Sequence, residues 1–297
     1  VQTCALPICA LKPKPEILLW PESAVPVPYR STHSVSFLFR IGLQNLILQS
    51  GVPMLIGAID FEDKLPGSAT PPGMTNSALF FNHRGRLRHK YDKIHRVPYG
   101  EYIPFRRCLP GFIVRMIDMN RDLVPGADYN PIEVRSDVRA GTAICYEGVF
   151  GYLTREFARR GANVLVVLSN DAWYPKSSEP EQHLANATLR AVETGLPMVR
   201  CGNNGGSLVV TPYGRITQVL TVDGPEQRPE LRRGRGVKTL AVGVEPSPSY
   251  TFYVRHGEWF IAVLAAVEAV FWLAAFAGFK KRKQALLDAI RRPGAGS

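Results

Sequence analysis

The chain has 297 residues, 45% of them hydrophobic and 21% charged, enough apolar mass for one large core or two smaller domains. Its formal charge of +11 would suit nucleic acid, but the basic residues form no aromatic-interleaved face, and residues 280–292 alone hold six Lys or Arg against one Asp. Five cysteines, an odd number without CxxC pairing, and six histidines without an HExxH run predict neither a disulfide scaffold nor a zinc site, and give metal catalysis no support.

The N-terminal VQTCALPICALKPKPE has too short an apolar stretch, and no basic residues before it, for a signal peptide. EILLW, residues 16–20, is a compact apolar run that predicts a buried strand delivering Glu22 at its carboxyl end. SVSFLFRIGLQNLILQS, between His33 and Gly51, spaces apolar residues by three and four and predicts an amphipathic helix stopped by the glycine. VPMLIGAID returns to strand, and FEDKLPGSATPPGMTN, rich in Pro, Gly and Ser, predicts an exposed loop. SALFFN and RLRHKYD flank HRGR as a hairpin leading to Lys93.

IVRMIDMNRDLVPGADYNP predicts a short helix and a loop; VRAGTAICYE is a strand delivering Cys145, and GVFGYLTREFARRGA a helix closed by Gly161. The unit repeats with NVLVVLSND as strand and EPEQHLANATLRAVETG as helix, followed by PMVRCGN and SLVVTP as strands. Alternating βα units mixed with hairpins predict a layered α/β domain. The basic stretch RRGRGVK, from Arg232, predicts a solvated loop.

Trp259–Phe279 is a run of 21 residues with one ionisable group, Glu268. At about 1.5 Å per residue a helix of that length matches a hydrocarbon core of about 30 Å. Glu268 would cost on the order of 3 kcal/mol at mid-membrane, which the surrounding Leu, Val, Ile, Phe and Trp can offset. The segment predicts a transmembrane helix, against the alternative of a buried terminal helix in a soluble enzyme. Lys280, Lys281, Arg282 and Lys283 follow it as a cytoplasmic flank, which would place the catalytic residues on the extracytoplasmic side.

Cys145, Glu22 and Lys93 together offer a nucleophile, a base and an oxyanion donor, sufficient for acyl transfer without metal or cofactor. A free thiol, with pKa near 8.5, needs an adjacent base. Residue chemistry alone leaves each with a plainer reading: an inert buried thiol, a carboxylate capping the turn after Pro21, and a lysine in a basic surface loop with His89, Lys90, His95 and Arg96. A Cys-His dyad using His95 or His183 is a competing chemistry.

WPES, YDKIHRVPYGEYIPF and CYE, in this order, resemble the nitrilase (carbon-nitrogen hydrolase) superfamily and, within it, the apolipoprotein N-acyltransferase family. SNDAWY, EQHLANATLRAVETGLPMVR and the NNGG loop extend the resemblance, which runs from about Pro15 to about Phe279. It implies an α-β-β-α sandwich, with Glu22 as base, Cys145 as nucleophile, and Lys93 as oxyanion donor together with the Tyr146 N–H. Glu101, Tyr146 and Glu147 are implied as supporting residues. Asn170, Asp171 and Trp173 are candidates for an acyl pocket or for a plain turn after a strand, while Arg200, Asn203 and Asn204 match without separate roles.

The family's membrane bundle would precede this domain, so the chain is expected to be a fragment: residues 1–14 unassigned, with a non-native N-terminus as one reading, 15–255 catalytic, 259–279 transmembrane and 280–297 a basic cytoplasmic tail. The implied partners are a phospholipid acyl donor, a diacylated lipoprotein acceptor and the bacterial inner membrane. A soluble amidase using water as second nucleophile, and a catalytically silent lipid- or partner-binding module, are the alternatives.

Overall fold

The computed structural model describes residues 13–25, 27–63, 72–116, 122–173, 177–203, 206–220 and 239–291. Expectations for residues 1–12, RRGRGVK, Asn204 and the Trp173 side chain fall outside these. The chain divides into two units, residues 1–255 and 256–297.

The first unit is built on two sheets. One has the order β1 (Leu18–Val25), β2 (Met54–Phe61), β3 (Met74–Phe81), β4 (Leu87–Asp92). The other runs β10 (Ile216–Val219), β9 (Leu208–Val210), β8 (Met198–Asn203), β7 (Val164–Asn170), β6 (Val138–Ile144), β5 (Ile132–Arg135). β6, β7 and β8 are parallel, and the outer pairs of that sheet are antiparallel. Strands covered on both faces need continuous apolar sequence, and Val164–Ser169 is buried at every position.

Alternation along the strands creates the layers. Met54, Ile56 and Ala58 share a cluster with Leu43, Leu46 and Ile47 of α1 (Ser34–Ser50). Leu55, Ala78, Phe80 and Tyr91 belong instead to the cluster of the six-stranded sheet, so the two sheets face each other. That cluster also takes in Leu153 and Phe157 of α3 (Gly151–Arg159) and Leu184, Ala187 and Ala191 of α4 (Glu179–Thr194). The result is the α-β-β-α sandwich. α1 ends where expected: Gly51 adopts φ +59° and donates its N–H to the Ile47 carbonyl at 2.7 Å. A six-residue helix, α2 (Gly111–Met116), lies between the sheets in sequence.

Four details differ from the sequence reading. β1 continues past Pro21, but its pairing with β2 slips: Trp20 lies opposite Ile56 and Val25 opposite Ala58, so Pro21–Ala24 form a bulge. Met74–Asn76, read as loop, begin β3 and pair with Asp60 and its neighbours on β2. β5 and β10 are short strands that the sequence reading did not assign. Cys145–Val149, read as the end of a strand and the start of a helix, forms a separate 3-10 turn.

After a short helix, α5 (Phe252–His256), the second unit is one helix, α6 (Trp259–Arg291). It is long and apolar enough to cross a membrane by length and composition. The helix continues unbroken through Lys280–Lys283, where the sequence reading placed a separate tail.

Candidate active site

Strand ends of both sheets supply the site. On the four-stranded sheet, the β1 bulge carries Glu22, with Ser23 in the left-handed region at φ +54°. Gly57 on β2 makes the bulge possible, since a Cβ there would lie 2.5 Å from both Glu22 Cα and the Pro21 carbonyl oxygen. Lys93 leaves the end of β4, its N–H bonded to the Asn76 carbonyl at 2.8 Å and its own carbonyl to the Gly126 N–H at 2.9 Å.

Lys93 is 1% exposed and lies between two carboxylates, its Nζ 3.0 Å from Glu101 Oε1 and 3.5 Å from Glu22 Oε1. Burial pulls the ammonium pKa down, but the charges of Glu22 and Glu101 outweigh it and hold the pKa well above the ordinary lysine value. Glu101 is fixed further by the Val97 N–H, 2.9 Å from Oε2. Asn76 is a member that the sequence reading missed. Its Nδ2 donates to Glu22 Oε1 and to Glu101 Oε1, both at 2.7 Å. Among the described residues, Glu22 Oε2 has no hydrogen-bond partner.

On the six-stranded sheet, Cys145 follows β6 at φ +52°, a left-handed conformation that costs a non-glycine residue about 1–3 kcal/mol. This sharp turn from strand into a 3-10 turn places Cys145 at the end of β6. Burial and then the Glu22 charge push the thiol up to about 12, opposed by Lys93, the Asn170 N–H and the Ser169 hydroxyl. The resting group is therefore a protonated thiol.

Glu147 joins the two halves. Its carboxylate accepts from the Tyr91 hydroxyl at 2.9 Å, from the Ile94 and His95 N–H groups at 2.7 and 2.9 Å, and from the Ile144 N–H at 2.8 Å. One buried side chain thus ties the segment after Lys93 to the strand end before Cys145. Burial pushes its carboxyl up to about 7 although the His95 and Ile144 N–H groups pull it down. Tyr146 is partly exposed, with its ring edge-on to Phe150 at 4.9 Å.

The remaining expected residues are distributed as follows. Asn170 presents its backbone N–H to the Cys145 thiol, while its side-chain oxygen accepts from Ala172 N and Asn203 Nδ2, each at 3.2 Å. Asp171 is buried and bonded to Arg200, not open to a substrate. His183 Nε2 lies 2.8 Å from the Cys145 backbone oxygen, and His95 Nδ1 lies 2.6 Å from the Tyr152 hydroxyl; among the described residues neither ring is hydrogen-bonded to Cys145 Sγ. A His-activated thiol thus lacks the geometry that a dyad requires.

Two facing sheets between helices, with a buried turn at Cys145 on one and a lysine between carboxylates on the other, define an α-β-β-α fold with a candidate active site where the strand ends meet. The carbon-nitrogen hydrolase family pattern matches residues 10–226, and the chain belongs to that family. Among curated relatives, an apolipoprotein N-acyltransferase of Brucella suis is 36% identical over 259 residues, covering 85% of this chain and 44% of the relative. One of Geobacter metallireducens is 30% identical over 274 residues, covering 90% and 47%. The chain spans about half the length of these relatives. An amidase structure from Nesterenkonia sp. AN1 shares the fold at TM-score 0.50 and 19% identity, over 74% of this chain and 78% of that one.

Proposed function

We propose that this chain carries the catalytic unit of an apolipoprotein N-acyltransferase, the activity named for its relatives. The observation that carries this reading is the buried Lys93 held between Glu22 and Glu101, with a Glu22 oxygen left unpartnered among the described residues and a thiol at the facing strand end.

Cys145 is the nucleophile, Glu22 the base and Lys93 the oxyanion donor. A thiol with pKa near 12 needs its proton removed during attack, and Glu22 Oε2 is the available acceptor. Sγ adds to the ester carbonyl of a phospholipid, and the developing oxyanion is met by Lys93 and the Tyr146 N–H. As the ester C–O bond breaks, Glu22 returns the proton to the leaving lysophospholipid oxygen, and a thioester remains. The α-amino group of a diacylglyceryl-cysteine lipoprotein then attacks the thioester. Glu22 takes the amine proton and returns it to the departing thiol, so the kinetics are ping-pong. Glu101 and Glu147 hold Lys93 and the turn at Cys145.

α6 favours a lipid setting over a soluble amidase. Its basic residues at 280–283 fit a cytoplasmic flank, with the catalytic unit on the extracytoplasmic side. Incubation with phosphatidylethanolamine in detergent should add one acyl mass to Cys145, with none on Cys145→Ala. An acyl adduct surviving that substitution would remove Cys145 as nucleophile. Release of free fatty acid at the same rate with and without a lipopeptide amine would favour the amidase.

A further inference from the structure

Against the Cys145 turn lies a second buried polar cluster that none of the steps above uses. His183 is on α4, Asp171 follows β7, and Arg200 is on β8. Arg200 is 1% exposed and its NH2 group donates to both Asp171 oxygens, at 2.8 and 2.7 Å, and to Ser169 Oγ at 3.1 Å. Ser169 Oγ in turn lies 2.7 Å from Asp171 Oδ1. His183 Nδ1 is 3.3 Å from Asp171 Oδ1 and 3.3 Å from Glu179 Oε1.

Asp171, Glu179 and His183 are metal-ligand types whose donor atoms fall within 4.8 Å of one another. Their partners assign them otherwise. A guanidinium covers both Asp171 oxygens, and His183 Nε2 faces a backbone carbonyl oxygen, a pure acceptor that requires an N–H on the ring. With Nδ1 facing two carboxylates, both ring nitrogens act as donors, the pattern of an imidazolium.

We propose that His183 is a positioning residue for the nucleophile: its Nε2–H holds the Cys145 carbonyl, and the Asp171–Arg200 pair and Glu179 hold His183. A residue at φ +52° persists only where its surroundings fix it. Rotation of the Cys145–Tyr146 peptide would relax the turn, and the bond to the Cys145 oxygen opposes that rotation. The same peptide unit bears the Tyr146 N–H, so fixing the oxygen on one side aims that N–H to the other, toward the acyl oxygen. Ser169 extends the device to Sγ, since its hydroxyl contacts both the thiol and Asp171.

This inference rests on Cys145 being the acylated residue. The groups facing His183 are Asp171 and Arg200 from the sheet, Glu179 from its own helix and the Cys145 turn. Burial lowers the imidazole pKa, but the hydrogen bonds that the ring donates to Asp171, to Glu179 and to the Cys145 carbonyl raise it to about 9 against the opposing Arg200 charge.

The test measures acylation of Cys145 by p-nitrophenyl hexanoate, a soluble activated ester, as adduct mass against time over pH 6–10 on the full chain. His183→Leu should acylate at least about tenfold more slowly, and His183→Gln, whose amide N–H reaches the same carbonyl, should recover most of the rate. Wild type should lose rate as pH rises through about 9, with no such limb in His183→Gln. An equal rate for a folded His183→Leu, or the same limb in His183→Gln, would overturn the proposal. Should neither variant fold, a wild-type profile flat through pH 9 overturns it and the falling limb supports it. Absence of any adduct on wild-type Cys145 would instead sink the underlying assignment of the nucleophile.

Discussion

The side-chain nitrogen of Asn76 lies 2.7 Å from Glu22 Oε1 and 2.7 Å from Glu101 Oε1, so a single amide joins two carboxylates that otherwise share only Lys93. Two like charges at this separation repel, and the amide dipole together with the ammonium makes their proximity tolerable. The arrangement also dictates which Glu22 oxygen is free. Oε1 faces Asn76 and Lys93, and Oε2 is without a hydrogen-bond partner among the described residues, the oxygen that the proposed mechanism uses.

Replacing Asn76 by alanine removes two hydrogen bonds to charged acceptors, each worth about 1.5–3 kcal/mol. If part of that is felt in the transition state, kcat should fall by about 10- to 100-fold with KM little changed. Steady-state acylation kinetics give the answer, and an unchanged kcat would show that Glu22 is held without Asn76.

Lys93→Met should be felt in stability as well as chemistry. Removing one partner of a buried ion pair costs about 3–5 kcal/mol, and here it leaves Glu22 and Glu101 uncompensated. Urea unfolding should show the loss, and adding Glu101→Gln to that variant should restore part of it. Additive destabilisation by the two substitutions would contradict the pairing.

Gly57→Ala tests the bulge. The added Cβ would lie 2.5 Å from backbone atoms of Pro21 and Glu22, which cannot rotate away as a side chain would. β1 must shift, and a displacement of about 1 Å at a reacting group costs on the order of 10²-fold in rate. A variant that unfolds like wild type and acylates like wild type would mean that Glu22 does not depend on this contact.

Stability should also follow pH through the cluster around His183. Its folded pKa of about 9 lies above the ordinary 6.5, so its contribution is complete below pH 6.5 and is lost as pH rises through 9. At about 1.4 kcal/mol per unit this is on the order of 3 kcal/mol. Asp171 acts at the other end: held down to about 2, chiefly by its bonds to His183 and Arg200 against the effect of burial, it contributes above pH 3.8 and loses that contribution as pH falls through 2. Urea unfolding at pH 6.5 and pH 9.5 should differ for wild type and differ less for His183→Gln.

The sequence made the strongly apolar strands and the long helices legible because burial on both faces leaves a continuous signal, as in NVLVVLSN, and one buried face leaves a period, as in α1. It was silent on β5 and β10, which are four residues each, lie at the sheet edge and are mostly unburied. Cys145, Glu22, Lys93, Glu101 and Glu147 were named from motif order, not from geometry. Asn76 went unnoticed because Met74–Asn76 closes a Pro/Gly-rich stretch and asparagine reads there as a turn former. Arg200 in PMVRCGN offered a usable signal: a charge inside an otherwise buried strand must have a buried partner. Nothing in the sequence distinguished Asp171 as that partner from Asp171 as pocket lining.

The division of the site between two sheets bears on how the protein acquires activity during folding. Glu22, Asn76 and Lys93 ride on one sheet, Cys145, Ser169 and Arg200 on the other, and Glu147 forms a tie across them. A partly folded chain with either sheet complete but undocked holds an ordinary thiol or an ordinary lysine, and no chemistry. With Cys145 as the acylated residue proposed above, the first appearance of an acyl adduct in a refolding experiment would time the docking of the two sheets, so the reaction would serve as a clock for that step.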